Sequence, residues 1–199
     1  MTGSTGFNRL CVFCGSSPGR HDAFAEAAAA VGRELARRKM GLVYGGGNVG
    51  LMGVLADAAL DAGGEVVGVI PEALMAREVG HRGLTQLHVV PSLHERKALM
   101  AELADGFLAL PGGLGTFEEF FEVVTWAQLG VHAKPCALLN VAGFYDPLLR
   151  LLDHAVEQGF VQSPARASIL VDAAVPEVLD RMASFHAPAV RQWLDRPSL

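Results

Sequence analysis

The amino-acid sequence predicts an α/β domain built on a doubly wound parallel sheet, and three observations carry that reading. Short apolar runs alternate with helix-patterned segments from end to end. The runs are apolar throughout rather than at every second residue, as in strands covered on both faces. Glycines gather where a run gives way to a helix, the place where such sheets bind ligands.

Taken in order, the first strand, Arg9 to Cys14, contains the unbroken apolar run Leu10 to Cys14, and a helix from about Asp22 to Arg38 follows. The second strand, Gly41 to Tyr44, ends against a glycine loop, Gly45 to Gly53, that opens a helix from Gly50 to about Ala62. The third, Glu65 to Ile70, runs into Pro71 to Leu84, a polar connection rich in Glu, Arg, Gly and His whose length marks it as functional. The fourth, Gln86 to Val90, leads to a helix from Leu93 to about Ala104. The fifth, Gly106 to Leu110, meets a second glycine loop, Pro111 to Thr116, and then a helix from Phe117 to about Leu129. The sixth, Pro135 to Asn140, precedes a helix at about Tyr145 to Gln158, and the last, Ile169 to Val171, precedes one at Val175 to Ala183. No repeat or linker divides the chain. Residues 9–187 are therefore expected to form one domain, with residues 1–8 a flexible polar lead and 188–199 a tail.

Composition narrows the class. The 199 residues are 51 % hydrophobic and 19 % charged, enough apolar material for one core without disulfides and too much for a disordered chain. No apolar stretch spans a bilayer and Leu10 to Cys14 is too short for a signal-peptide core, so no membrane and a cytoplasmic location are expected. A net charge of −5 with no basic block argues against nucleic acid as a partner. Cys11, Cys14 and Cys136 make an odd count that fits a reducing compartment. Cys11 and Cys14 have C-x-x-C spacing, but in a strand they point to opposite faces and no second ligand pair completes a metal site. No metal is expected, and the thiols read as buried and reduced.

The 23 glycines include eight in the two loops: Gly45, Gly46, Gly47, Gly50 and Gly53 in one, Gly112, Gly113 and Gly115 in the other. The first loop contains G-x-G-x-x-G at Gly45, Gly47 and Gly50, with Glu72 placed as a ribose-binding acid, so a nicotinamide-dependent dehydrogenase is a rival reading. Against it, the motif follows the second strand rather than the first. A Walker A loop is excluded, because Leu51 rather than Lys follows Gly50. Two small-residue loops at helix N-termini form two walls of one anion cradle, and phosphate fits it.

Thr116 and Glu119 have the T-x-x-E spacing of a capping box, as Ser92 and Glu95 have S-x-x-E. Phe117, Phe120, Phe121, Val124 and Ala127 share one helical face, which puts Glu119, Glu122 and Trp126 opposite. Glu119 is then expected to be ionised at its helix N-terminus, suited to act as a base or to stabilise a cation. Arg96 and Lys97 lie in the first turns of their helix, where positive charge opposes the dipole, so an anion is expected nearby. Trp126 and Leu129, outside the apolar stripe, point to a homodimer contact.

These residues carry a resemblance. Pro111-Gly112-Gly113-Leu114-Gly115-Thr116-Phe117-Glu118-Glu119, preceded by His94-Glu95-Arg96-Lys97 and by the loop Gly45 to Gly53, resembles the P-G-G-x-G-T-x-x-E signature of the Lonely Guy family. These are cytokinin riboside 5'-monophosphate phosphoribohydrolases, often mislabelled lysine decarboxylases. The resemblance runs from Cys14-Gly15-Ser16-Ser17 to Gly159-Phe160. It implies a Rossmann-like homodimer, without cofactor, that cleaves the N-glycosidic bond of an N6-modified AMP, and of AMP itself, to free base and ribose 5-phosphate. It further implies Arg96 and Glu119 as the catalytic pair, and Lys97, Gly113, Leu114, Gly115, Thr116, Phe117, Glu118, Glu119, Glu78 and Thr125 as nucleotide-contacting positions. Leu114 stands where many members have Tyr and Phe117 where many have Leu, departures that bear on base preference rather than chemistry.

The chemistry is coherent. Glycosidic cleavage passes through an oxocarbenium-like state that a carboxylate stabilises while orienting or deprotonating water, a role for Glu119. An arginine holds its proton, so Arg96 is assigned to phosphate or ribose oxygens and developing charge. Glu78 and solvent are both candidates to protonate the departing base. The decarboxylase label conflicts with a chain of only three lysines, since pyridoxal phosphate needs a Schiff-base lysine. A non-catalytic carrier of nucleotide or molybdenum cofactor, on a related Rossmann scaffold, would not require both Arg96 and Glu119.

Overall fold

The computed structural model describes residues 7–75 and 80–187. Seven parallel strands form one sheet in the order β4-β3-β2-β1-β5-β6-β7. The strands are β1 Arg9–Phe13, β2 Gly41–Tyr44, β3 Val66–Pro71, β4 Gln86–Val90, β5 Gly106–Ala109, β6 Cys136–Leu139 and β7 Ile169–Asp172. The helices are α1 Asp22–Arg37, α2 Gly50–Asp61, α3 Glu72–Met75, α4 Leu93–Leu103, α5 Leu114–Gln128, α6 Asp146–Glu157, α7 Ser163–Ser168 and α8 Val175–Ala183. Among the described residues no helix is long and apolar enough to cross a membrane.

Continuous apolar sequence becomes a sheet covered on both faces. In β1, Leu10 and Val12 pack with α1, α2 and α8, whereas Cys11 and Phe13 pack with α4, α5 and α6. Each fully buried Leu, Val or Phe contributes about 1.5–3 kcal/mol of transfer free energy, which the period-two alternation divides between two cores. Cys11 and Cys14 accordingly fall in different cores, both free and buried. The edge strand β4 carries exposed Gln86 and Val89, as an unpaired margin would.

Three local features depart from the sequence reading. Phe7 and Asn8 are anchored rather than part of a loose lead: Phe7 packs on the core and the Asn8 amide donates to Asp105 at 2.8 Å. The helix α5 starts three residues early, at Leu114, because Gly113 takes the extended N-cap conformation. Two short helices, α3 and α7, and a 3-10 turn at Val141–Gly143 lie in connections the sequence left irregular. Each is at most six residues long, too short for a hydrophobic period to register.

Candidate active site

From β1 the chain steps outward through β2, β3 and β4, then returns to place β5 on the opposite side of β1. The loops after β1 and β5 leave in opposite directions, which opens a crevice at the carboxyl ends of the strands. Three loops meet there. The Gly15 amide donates to the Pro111 carbonyl at 3.1 Å, and the Leu51 amide to the Gly15 carbonyl at 3.0 Å. Gly50 has φ +57°, and a Cβ there would lie 2.3 Å from the Ser16 carbonyl carbon, so the approach of the loops after β1 and β2 requires glycine. A Cβ on Gly112 would strike the Thr116 hydroxyl at 2.2 Å. Neither α2 nor α5 has a side-chain N-cap. The early amides of α5 thus have no side-chain cap, the arrangement in which a helix N-terminus can receive an anion.

Two charged residues meet beneath these loops. Arg96, in the first turn of α4, places Nη1 2.8 Å from Glu119 Oε1 on α5 and donates from Nε to the Val69 carbonyl at 3.1 Å. Its Nη2 occupies the space over Gly45, where a Cβ would lie only 2.1 Å away. The first glycine loop thus makes room for the guanidinium.

Glu119 corrects two expectations. It is only 9 % exposed and lies on the buried side of α5 with Thr116, Phe120, Val123 and Val124, one position round from the expected apolar stripe. It forms no capping box, since the helix begins before Thr116 and the N-cap is Gly113. Burial pushes its carboxyl above the ordinary range, and the Arg96 charge and hydrogen bond oppose that rise. Net, the group is harder to ionise than the helix-dipole reading expected.

The anion anticipated beside Arg96 and Lys97 is supplied by the chain itself. Lys97 Nζ contacts Glu118 and lies 3.0 Å from Glu122 Oε1. Burial works against its charge, but the two carboxylates raise its pKa above the ordinary value. The Ser92 hydroxyl does accept from the Glu95 amide at 3.1 Å, the cap that the sequence indicated.

The remaining nominated positions are dispersed. Leu114 projects into solvent at 86 % exposed, whereas Phe117 turns inward against Phe144 and Tyr145. Gly113 and Gly115 face open space. Thr125 is exposed further along α5, its hydroxyl donating to the Phe121 carbonyl at 2.7 Å. Glu78 lies outside the described residues. Glu72, the ribose-acid candidate of the dehydrogenase reading, is exposed at the start of α3. Trp126 is half-buried against the α4–α5 core rather than turned away from it.

Sequence reasoning missed His81. It is 7 % exposed, its backbone amide donates to the Gly46 carbonyl at 2.9 Å, and its ring reaches Asp57 on α2 at 2.9 Å. Gly47 and Gly80 form an antiparallel bridge beside it. A lone histidine in a polar loop carries no pattern that announces such a partner. Among the described residues no cluster of three or more His, Cys, Asp or Glu side chains is placed to hold a metal ion.

A family model described as "Possible lysine decarboxylase" matches residues 52–182. The chain is 58 % identical over 163 residues to a cytokinin riboside 5'-monophosphate phosphoribohydrolase of Rhodococcoides fascians, covering 81 % of this chain and 82 % of that one. It is 49 % identical over 179 residues to the cytokinin riboside 5'-monophosphate phosphoribohydrolase LOG of Oryza sativa subsp. japonica, covering 90 % and 74 %. Among solved structures, the molybdenum cofactor binding protein of Rippkaea orientalis superposes with a TM-score of 0.68 at 19 % identity, covering 91 % of this chain and 98 % of that one. The molybdenum cofactor carrier protein of Chlamydomonas reinhardtii gives 0.66 at 19 % identity over 88 % and 96 %. At that identity these two likenesses establish a shared fold.

Proposed function

Because the chain belongs to the cytokinin riboside 5'-monophosphate phosphoribohydrolase family, we propose that it hydrolyses the N-glycosidic bond of N6-modified AMP, and of AMP itself, to free base and ribose 5-phosphate. The observation that carries this reading is the Arg96–Glu119 pair held beneath the glycine loops. The 5'-phosphate sits among the glycine-loop amides at the N-termini of α2 and α5, with Lys97 at its margin. That placement brings the ribose against Glu119, where a carboxylate stabilises the oxocarbenium-like state and orients the attacking water.

Arg96 has two roles in this scheme. Its charge opposes the effect of burial on Glu119, and its remaining N–H groups meet ribose or phosphate oxygens as charge develops. Glu78 and solvent are the two alternative candidates for the proton that the leaving base takes up.

Decarboxylation of lysine fits the residues poorly. Lys39 follows α1 at the opposite end of the sheet, Lys97 is held by two carboxylates, and Lys134 donates to the Ala101 and Ala104 carbonyls at 2.7 and 2.6 Å. None is set in the crevice as a Schiff-base lysine must be. A homodimer, docked over the half-buried Trp126 where α4 and α5 border a cleft, belongs to the same reading, as does a cytoplasmic location for three free thiols.

Incubation with isopentenyl-AMP and with AMP, followed by separation of products, tests the activity. Equimolar base and ribose 5-phosphate are expected; no release of base from either nucleotide overturns the assignment. A monomeric mass by light scattering overturns the dimer.

A further inference from the structure

Resting on the hydrolase reading for its kinetic arm, we propose that His81, through Asp57, is the residue that positions the first glycine loop for substrate. Its imidazole is nearly out of water and both ring nitrogens are engaged. Nδ1 accepts from the Gly83 amide at 3.0 Å, so it carries no proton. Nε2 therefore bears the hydrogen and donates to Asp57 Oδ1 at 2.9 Å. That second bond reaches α2, the helix that the glycine loop itself opens.

The backbone completes the clip. The His81 amide donates to the Gly46 carbonyl, and Gly80 bridges Gly47 in antiparallel fashion. One residue thus ties the loop Gly45 to Val49 both directly, at Gly46, and indirectly, through the second turn of its helix at Asp57. Glycines stand on either side of His81, at Gly80 and Gly83. A Cβ on Gly80 would lie 2.3 Å from Met75 Sδ, and one on Gly83 would lie 3.2 Å from the His81 ring. Gly45, one residue before the pinned carbonyl, is the floor over which Arg96 Nη2 lies. Arg96 keeps its own anchors on Val69 and Glu119, so loosening this clip disturbs the phosphate cradle before it disturbs the charged pair.

The test uses the full chain with His81→Ala, His81→Gln, Asp57→Ala and the alanine double variant. Loss of the clip speeds amide hydrogen exchange across Tyr44 to Leu51 by about tenfold or more. It raises KM for isopentenyl-AMP by about tenfold while kcat stays within about threefold, the mark of lost uniform binding. His81→Gln, whose side-chain nitrogen substitutes for Nε2, recovers most of both effects. The double variant is no worse than His81→Ala alone, because both substitutions break one interaction. A lower Tm with unchanged exchange and unchanged KM makes His81 merely structural and overturns the proposal, as does full additivity of the two alanine substitutions. Should His81→Ala fail to fold, Asp57→Ala and His81→Gln carry the same comparison. If the wild type releases no base, the hydrolase reading falls while the exchange measurement still decides the positioning.

Discussion

Arg96 Nη1 lies 2.8 Å from Glu119 Oε1, and neither side chain is more than slightly exposed. A charged pair removed from water this far costs several kcal/mol per ion in desolvation and is weak support for stability by itself. The proposed hydrolysis gives the pair a reason: in that scheme the carboxylate acts in its ionised form, and the guanidinium opposes the effect of burial on it. Glu119→Gln and Arg96→Ala are each expected to lower kcat by about a thousandfold or more, roughly 4 kcal/mol of transition-state stabilisation. The two differ in stability. Arg96→Ala leaves a buried carboxylate without its partner and is expected to cost about 3 kcal/mol, whereas the amide of Glu119→Gln retains the hydrogen bond and costs less. Steady-state kinetics and urea unfolding of both variants check this.

Burial sets the pH dependence. With the folded-state pKa of Glu119 above its unfolded value, the native protein binds this proton more tightly than the unfolded chain. Wild-type stability therefore falls, on account of this residue, as pH rises from the ordinary carboxylate range through the raised folded pKa, and levels off above it. Glu119→Gln lacks that slope, so its stability relative to wild type should improve across the same window. Urea unfolding of the pair from pH 4 to 7 measures the difference; a difference that stays flat contradicts the perturbation. Activity moves the other way, since hydrolysis needs the ionised carboxylate and its acid limb should sit above the range of an exposed glutamate.

The strands and long helices were legible because their signal is local: apolar runs such as Leu42-Val43-Tyr44 become strands wherever helices cover both faces. The crevice was legible because its glycines gather where strands give way to helices, and the structure gives them reasons: Gly50 meets the Ser16 backbone, Gly112 meets Thr116, and Gly45 leaves room for the Arg96 guanidinium. Glu119 was found as a residue but misjudged in environment. A helical wheel drawn from hydrophobicity places a carboxylate on the wet side, and only the approach of Arg96 from α4 makes the dry side tenable. His81 and Asp57 were not found at all, because their bond joins residues 24 apart in sequence and neither carries a motif.

Lys97 is compensated twice, by Glu118 and Glu122, so a nucleotide phosphate arriving at this amine meets a cluster with one surplus negative charge. Lys97→Ala is expected to raise KM for AMP-type substrates by about tenfold, through loss of a charge-assisted contact. Glu118→Gln should shift KM in the opposite direction, by about threefold, because that carboxylate is more than half exposed and its repulsion is screened. KM values at low and at high salt check both, and the Glu118 effect should shrink as salt is added.

Two glycines of the crevice should separate stability from catalysis. At Gly45 an added methyl meets the flexible end of Arg96 rather than backbone, so Gly45→Ala should fold but displace the guanidinium. A shift of about 1 Å at a catalytic group costs on the order of a hundredfold in rate, and kcat should fall accordingly. At Gly115, inside the first turn of α5, nothing lies within 4 Å of the added Cβ. Gly115→Ala should therefore raise stability by about 0.5–1 kcal/mol, the helical preference of alanine over glycine. The same methyl would stand in the open mouth of the loop proposed to contact the nucleotide, so on that proposal KM should rise while Tm also rises. A variant that gains stability and leaves KM untouched would remove Gly115 from the binding surface, and would place the nucleotide nearer the loop that Arg96 overlies.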